Sequence, residues 1–188
     1  MGLKVDSVTV SFGDKKVLRE FSLAFPPSGF VGISGPSGCG KTTLLKTIAG
    51  LINPDEGSIA GLDNTTFSLV FAEDVLLDWL TVEENIQLVV PQGKAQVSEL
   101  LEMVELPGYE KFYPADLSKG MKRRVAIARA LAVESDVLLL DEPTANLDKR
   151  LAFAIMEKIV TLRKDKLTIC VTHDIEILEQ FATQTYRF

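Results

Sequence analysis

Eight consecutive residues, Gly35-Pro36-Ser37-Gly38-Cys39-Gly40-Lys41-Thr42, gather three glycines, a lysine and two hydroxyls into one short run. The run fits the pattern G-x-x-x-x-G-K-[ST], whose glycines let the backbone wrap a phosphate with N–H groups pointing inward. An apolar stretch, Phe30 to Ser34, precedes it, and helical spacing follows from about Lys41 to Ala49. A helix starting there adds the partial positive charge of its N-terminus. Lys41 supplies a full charge to the terminal phosphates, Thr42 offers its hydroxyl to Mg²⁺, and Thr43 extends the phosphate-binding set. The chemistry predicted is the binding of a nucleoside triphosphate with Mg²⁺.

Three further groups could act on such a ligand. Val137 to Leu140 form an apolar run ending in Asp141-Glu142-Pro143. Ligands of open parallel sheets bind at the C-terminal ends of strands, so Asp141 is placed to hold Mg²⁺ and Glu142 to take a proton from an attacking water. Taken alone, the pair also fits an acidic turn. Leu117-Ser118-Lys119-Gly120-Met121-Lys122-Arg123-Arg124 opens a helical pattern with apolar residues at Met121, Val125, Ala128 and Ala132. Ser118 is a natural N-cap there, and alone the segment reads as a capped basic surface helix. His173, the single histidine, follows the apolar run Leu167 to Val171. A lone histidine at a strand end is more often a satisfied structural residue.

The elements that must carry these groups alternate. Val8, Val10 and Phe12, then Phe21, Leu23 and Phe25, show strand periodicity before the Gly-rich run. Helical spacing returns over Glu83–Val89, Val97–Val104, about Lys119–Val133, about Lys149–Arg163 and Ile175–Phe181, with strands at Val137–Leu140 and Leu167–Val171. Strands alternating with helices predict an α/β fold with a mainly parallel sheet, an N-terminal antiparallel part and a mostly helical insert over about 74–124.

The bulk properties narrow the class. A chain of 188 residues suits one domain, 1–188, with at most an inserted subdomain. The net charge of −6 argues against nucleic-acid binding and against docking on anionic lipid by charge. Cys39 and Cys170 form neither a disulfide framework nor a metal-ligand spacing, which suggests a reducing, cytoplasmic setting. The first residues, MGLKVDSVTVSF, hold no apolar core of signal-peptide length. No stretch reaches the ~18 apolar residues of a membrane span. Service to a membrane would therefore pass through a partner.

In their order along the chain, these motifs resemble the ATP-binding-cassette (ABC) family, from about Leu3 to Phe181. GPSGCGKT resembles its Walker A motif, LLLDEP its Walker B, LSKGMKR its signature, Ala145-Asn146-Leu147-Asp148 its D-loop and His173 its switch histidine. Phe12, with Gly13 and Val17-Leu18 after it, is similar to the family's adenine-stacking element. The resemblance implies a P-loop (RecA-like) core that binds and hydrolyses ATP with Mg²⁺. It implies two copies packed head to tail, so that Ser118 and the backbone of Gly120 meet the γ-phosphate held by the other copy, and it assigns His173 to the γ-phosphate and the water. It further implies transmembrane permease subunits, a place on the inner face of the cell membrane and, for an importer, a solute-binding protein. Leu76-Leu-Asp-Trp79-Leu80-Thr-Val82-Glu-Glu-Asn85 is similar to a segment of the nitrate, sulfonate and taurine importer branch.

The sequence departs from that pattern in places. Ala72, followed by Glu73 and Asp74, comes after the strand Ser68-Leu-Val-Phe71 and stands where the family usually has a glutamine that touches Mg²⁺ and the water. Glu73 could shift into that role, water could substitute, or hydrolysis and coupling could be weakened. Lys119 and Met121 replace the usual glycine and glutamine of the signature. The segment from Gly57 to Phe67 is compressed, and the sequence leads us to expect none of the regulatory extensions of some importer subunits. Two other readings stay open: an ABC ATPase of DNA repair or translation, against which the missing coiled-coil insertion and tandem cassette speak, and a module that binds ATP without hydrolysing it, which Ala72 favours.

Overall fold

The computed structural model describes residues 2–73, 75–90 and 96–188; Asp74 and Pro91 lie outside them. In chain order the elements are β1 (Lys4–Phe12), β2 (Lys15–Ala24), β3 (Gly29–Ser34), α1 (Lys41–Ile48), β4 (Glu56–Ala60), β5 (Phe67–Val70), α2 (Val82–Gln87), α3 (Val97–Met103), α4 (Lys119–Leu131), β6 (Val137–Asp141), α5 (Lys149–Leu162), β7 (Leu167–Val171), α6 (Ile175–Phe181) and β8 (Gln184–Arg187). A short 3₁₀ turn, Pro114–Asp116, precedes α4. Between β5 and β6 every described regular element is helical.

The strands form two sheets. One is antiparallel, in the order β2-β1-β4, and the other is parallel, in the order β5-β6-β7-β3-β8. Strands β6 and β7 are buried along their whole length, which is why each reads as an unbroken apolar run. Alternate side chains supply opposite faces. Val31, Ile33, Leu139, Ile169 and Val171 pack toward α1 and the antiparallel sheet. Phe30, Leu138, Leu140 and Cys170 pack toward the helices α2 to α6. A leucine fully buried in either layer contributes about 1.5–3 kcal/mol of transfer free energy. Burial pushes the Cys170 thiol well up, so it serves as a packing group rather than a nucleophile.

The register sets the site. Asp141 pairs with Val171, Ile33 with Val171, and Val70 with Leu140. The C-terminal ends of β3, β5, β6 and β7 are therefore level, and the loops leaving them share one rim. Two strands have no counterpart in the sequence reading. β4 holds no fully buried residue, and β8, Gln-Thr-Tyr-Arg, is a mostly polar edge strand. Neither has the apolar alternation from which a strand is read.

Candidate active site

A cleft of about 450 Å³ opens over this rim. Phe12 and Val17 of the antiparallel sheet line it, together with Ser37, Gly38, Gly40 and Lys41–Thr43 of the Gly-rich loop. Ala72, Asp141, Glu142 and His173 line it from the loops after β5, β6 and β7. Gly40 is required by geometry. It ends the loop with φ 112°, and a Cβ there would lie 2.9 Å from Leu18 Cδ2 and 3.1 Å from Val17 Cγ1. The antiparallel sheet thus packs directly on the phosphate loop, which carries the ring of Phe12, 55% exposed, to the edge of the cleft.

Lys41 is 6% exposed, and its Nζ donates to the carbonyls of Gly35 and Pro36, both at 2.9 Å. Cys39 Sγ lies 3.8 Å from the same nitrogen. Gly35, Pro36 and Cys39 therefore shape the loop behind the lysine and do not line the cleft. A phosphate in the loop would draw this ammonium away from neutral carbonyls to a full negative charge, the stronger partner.

Asp141, 3% exposed, accepts a hydrogen bond from the Thr42 side chain. Burial raises its pKa above the usual carboxylate value, opposed by that hydrogen bond and by the charges of Lys46, Arg123 and Lys41. A carboxylate and a hydroxyl, both hard oxygen donors, fit Mg²⁺ beside a phosphate loop.

Glu142 adopts φ 49°, in the left-handed region where side chains longer than Asn are uncommon. That conformation turns its carboxylate back over the sheet ends. Oε2 accepts from Thr172 Oγ1 and from the His173 backbone N–H, both at 3.2 Å. Oε1 is buried and accepts no hydrogen bond from a described residue; it lies 3.4 Å from His173 Nε2. An orphaned buried acceptor costs about 1–3 kcal/mol, so this oxygen is poised to accept from a donor such as water. His173 Nε2 also lies 3.4 Å from Ser37 Oγ, joining the loop after β7 to the phosphate loop.

The structure does not bring every candidate to this cleft. Ser118 caps α4, its Oγ accepting from Met121 N–H at 3.2 Å, and neither it nor Gly120 lines the cleft. A Cβ on Gly120 would lie 2.6 Å from the carbonyl oxygen of Asn146, so the glycine is needed where α4 crosses the loop between β6 and α5. Glu73 is exposed and is absent from the cleft lining, so the wall at this point is the methyl of Ala72. Arg123, read from sequence as part of a basic surface, is 1% exposed and donates to the carbonyls of Phe71 and Ala72. A signal for it exists: Arg123, Ile127 and Ala130 share the i, i+4, i+7 stripe of the buried helix face.

Residues 18–145 match the ABC transporter family. The aliphatic sulfonates import ATP-binding protein SsuB of Bacillus subtilis is 44% identical, over 90% of this chain and 75% of its own length. The chain belongs to the ABC transporter family. A second relative of this cassette, the sulfate/thiosulfate import ATP-binding protein CysA of Gloeobacter violaceus, is 43% identical over 94% of the chain. The cassette spans only 56% of that relative's length. Among solved structures it resembles MJ0796, a bacterial ABC transporter cassette solved as a dimer. That likeness has a TM-score of 0.87 and 30% identity, and covers 98% of this chain and 94% of the other. A second MJ0796 dimer, in a post-hydrolysis state with ADP and Pi, matches with a TM-score of 0.86. The fold is thus that of the ABC ATPase cassette, with the P-loop core expected from the sequence.

Proposed function

We propose that this chain is the ATP-binding and ATP-hydrolysing subunit of a membrane import system. It acts as a pair of copies and drives a separate permease. The observation that carries the reading is the buried, undonated Oε1 of Glu142 facing a cleft walled by the phosphate loop. In the mechanism, backbone N–H groups of residues 37–42 and the Lys41 ammonium hold the phosphates. Bound Mg²⁺, held by Thr42 and Asp141, would neutralise charge on the phosphate oxygens. Glu142 Oε1 accepts the proton of the attacking water, while Thr172 and the His173 backbone fix its other oxygen. His173 orients the water or the γ-phosphate. Phe12 stacks on the base.

Ser118 and Gly120 lie away from their own cleft, which supports a head-to-tail pair. In it, the N-terminus of α4 of one copy closes the nucleotide of the other. ATP then joins the copies, and hydrolysis releases them. The solved relatives named as dimers favour the same assembly.

The membrane partner is proposed on the exposed apolar side chains Leu51, Val75, Trp79, Leu88 and Val89. Leu51 and Val89 share a groove with Phe71 and Arg129. No helix among the described residues is long and apolar enough to cross a membrane, so a permease would carry the solute. Two relatives are named for oxidised sulfur anions, which makes small anions, delivered by a solute-binding protein, the first class to try.

The test is Mg-ATP turnover against protein concentration, with Glu142→Gln beside it. The expected result is a rate per chain that rises with concentration, a variant rate reduced by at least ~10³-fold, and a variant that elutes as a dimer with Mg-ATP. A variant that hydrolyses normally, or stays monomeric at high concentration, would overturn the reading. Ala72 favours a second reading, an ATP-binding module without turnover. Turnover absent in the natural chain and restored by Ala72→Gln would establish it.

A further inference from the structure

Helix α4 fastens neighbouring segments through arginines laid onto backbone carbonyls. Arg124 Nη1 donates to the carbonyls of Val104, at 3.2 Å, and Glu105, at 2.7 Å. Arg123 donates to those of Phe71 and Ala72, and Arg129 Nη2 to that of Val75 at 2.5 Å. Two of the three therefore converge on one loop, the segment after β5 that brings Ala72 to the cleft. Arg123 is 1% exposed. A guanidinium is buried at high cost unless its N–H groups find acceptors, and here two of the acceptors are main-chain oxygens of that loop. At the cleft the loop carries only a methyl, so its position is set through its backbone.

The clamp lies near the reacting end of the molecule. The charge of Arg123 acts on Asp141 in the same sense as those of Lys41 and Lys46. It also lies on the helix that Ser118 caps. Five residues at 1.5 Å rise put Ser118 about 7.5 Å from Arg123 along the helix axis. The loop that walls a chain's own cleft and the serine offered to a neighbouring copy are thus attached to one short stiff rod.

We propose that Arg123, backed by Arg129, is a positioning residue that makes the Ala72 loop and the start of α4 one moving part, so that nucleotide entering the cleft of one copy sets how that copy presents Ser118 to the other. The proposal rests on the paired ATPase reading above. The two carbonyls held by one planar guanidinium fix both the distance and the tilt of the loop against the helix. A lysine in the same place could satisfy the charge and one or two bonds, without fixing the tilt.

The test is amide hydrogen exchange on the full chain, with and without Mg²⁺ and a non-hydrolysable ATP analogue, in the natural sequence, Arg123→Met and Arg123→Lys. Three segments are compared: residues 35–43, 71–73 and 118–123. In the natural sequence the analogue protects all three. In Arg123→Met, protection of 35–43 persists and that of 118–123 is lost. Analogue affinity then stays within about threefold while kcat falls about tenfold, the split expected of a group that acts only in assembling the reactive state. Arg123→Lys recovers part of both.

Protection of all three segments in Arg123→Met with unchanged kcat would overturn the proposal. Loss of protection over 35–43 along with the rest would also overturn it, because Arg123 would then only hold the fold. Should Arg123→Met fail to fold, Arg123→Lys and Arg129→Met carry the same comparison, each expected to weaken the protection of 118–123 selectively. Failure of the natural sequence to protect 35–43 is a separate result, which removes the ATP reading itself and this proposal with it.

Discussion

The end of β6 and the start of α4 both bear candidate phosphate-site residues, and they are built in opposite ways. Asp141 is 3% exposed, and its strand is hydrogen-bonded to a neighbour on each side. Ser118 and Lys119 are exposed, and Ser118 is held by the Met121 and Lys122 N–H groups at the first turn of a helix. The difference teaches how a divided site is made. The half that must hold charge in fixed geometry is buried in a parallel sheet, where register locks each strand to the next. The half proposed to meet a second copy stands at a helix end, where N–H groups are unpaired by construction.

Disabling the buried half should have the larger effects. Lys41→Ala removes the charge-assisted donor from the phosphate loop, worth about 2–3 kcal/mol, so Mg-ATP affinity measured by calorimetry should fall roughly 30- to 150-fold. An unchanged affinity would mean the cleft is not the nucleotide site.

Asp141→Asn should divide stability from function. Burial raises the carboxyl pKa, so the native state binds this proton more tightly than the unfolded one. The resulting stability penalty is fully present at neutral pH and fades as pH falls through the raised value. The variant should therefore melt higher than the natural chain near pH 7 without ligand, and lose the stabilisation that Mg²⁺ adds to bound nucleotide. In the natural chain, Mg²⁺-dependent binding should weaken on acidification at a higher pH than an exposed aspartate would impose. A lower melting temperature for the variant would contradict this account.

Effects at the exposed half should be smaller and of another kind. Ser118→Ala removes an N-cap worth about 1 kcal/mol, seen as a modest drop in thermal stability. Nucleotide affinity of the isolated chain should be unchanged, while concentration-dependent turnover falls. Reduced affinity at high dilution would place Ser118 in its own cleft and end the contrast. Trp79→Ala is the mildest change. With Trp79 72% exposed, the cost to stability should stay within about 0.5 kcal/mol, and the effect should emerge only in turnover with a permease present.

Much of this contrast was legible in the sequence, for identifiable reasons. β3, β6 and β7 are apolar on both faces, and each ends in residues unlike the strand, so strand and site appear together. The helices from α1 to α6 show their buried stripes. β4 and β8 were illegible because edge strands with one solvated face carry little apolar signal. Arg123 was hidden for the opposite reason. Its neighbours Lys122 and Arg124 made it look solvated, and the carbonyls of Phe71 and Ala72 help explain why a charge belongs on a buried stripe. Sequence marked Ala72 as a departure, but not that Glu73 would stay out of the cleft.

The contact beneath Gly120 limits how cassettes of this kind can be recombined. The carbonyl of Asn146 occupies the space a side chain would need, and Asn146 itself holds φ 63°. A chimera that takes α4 from one relative and residues 142–148 from another would join surfaces shaped for different partners at a place with no slack. The two segments are 26 residues apart in sequence, from Gly120 to Asn146, yet they behave as a single unit of inheritance, and exchanging them together is the swap this architecture tolerates.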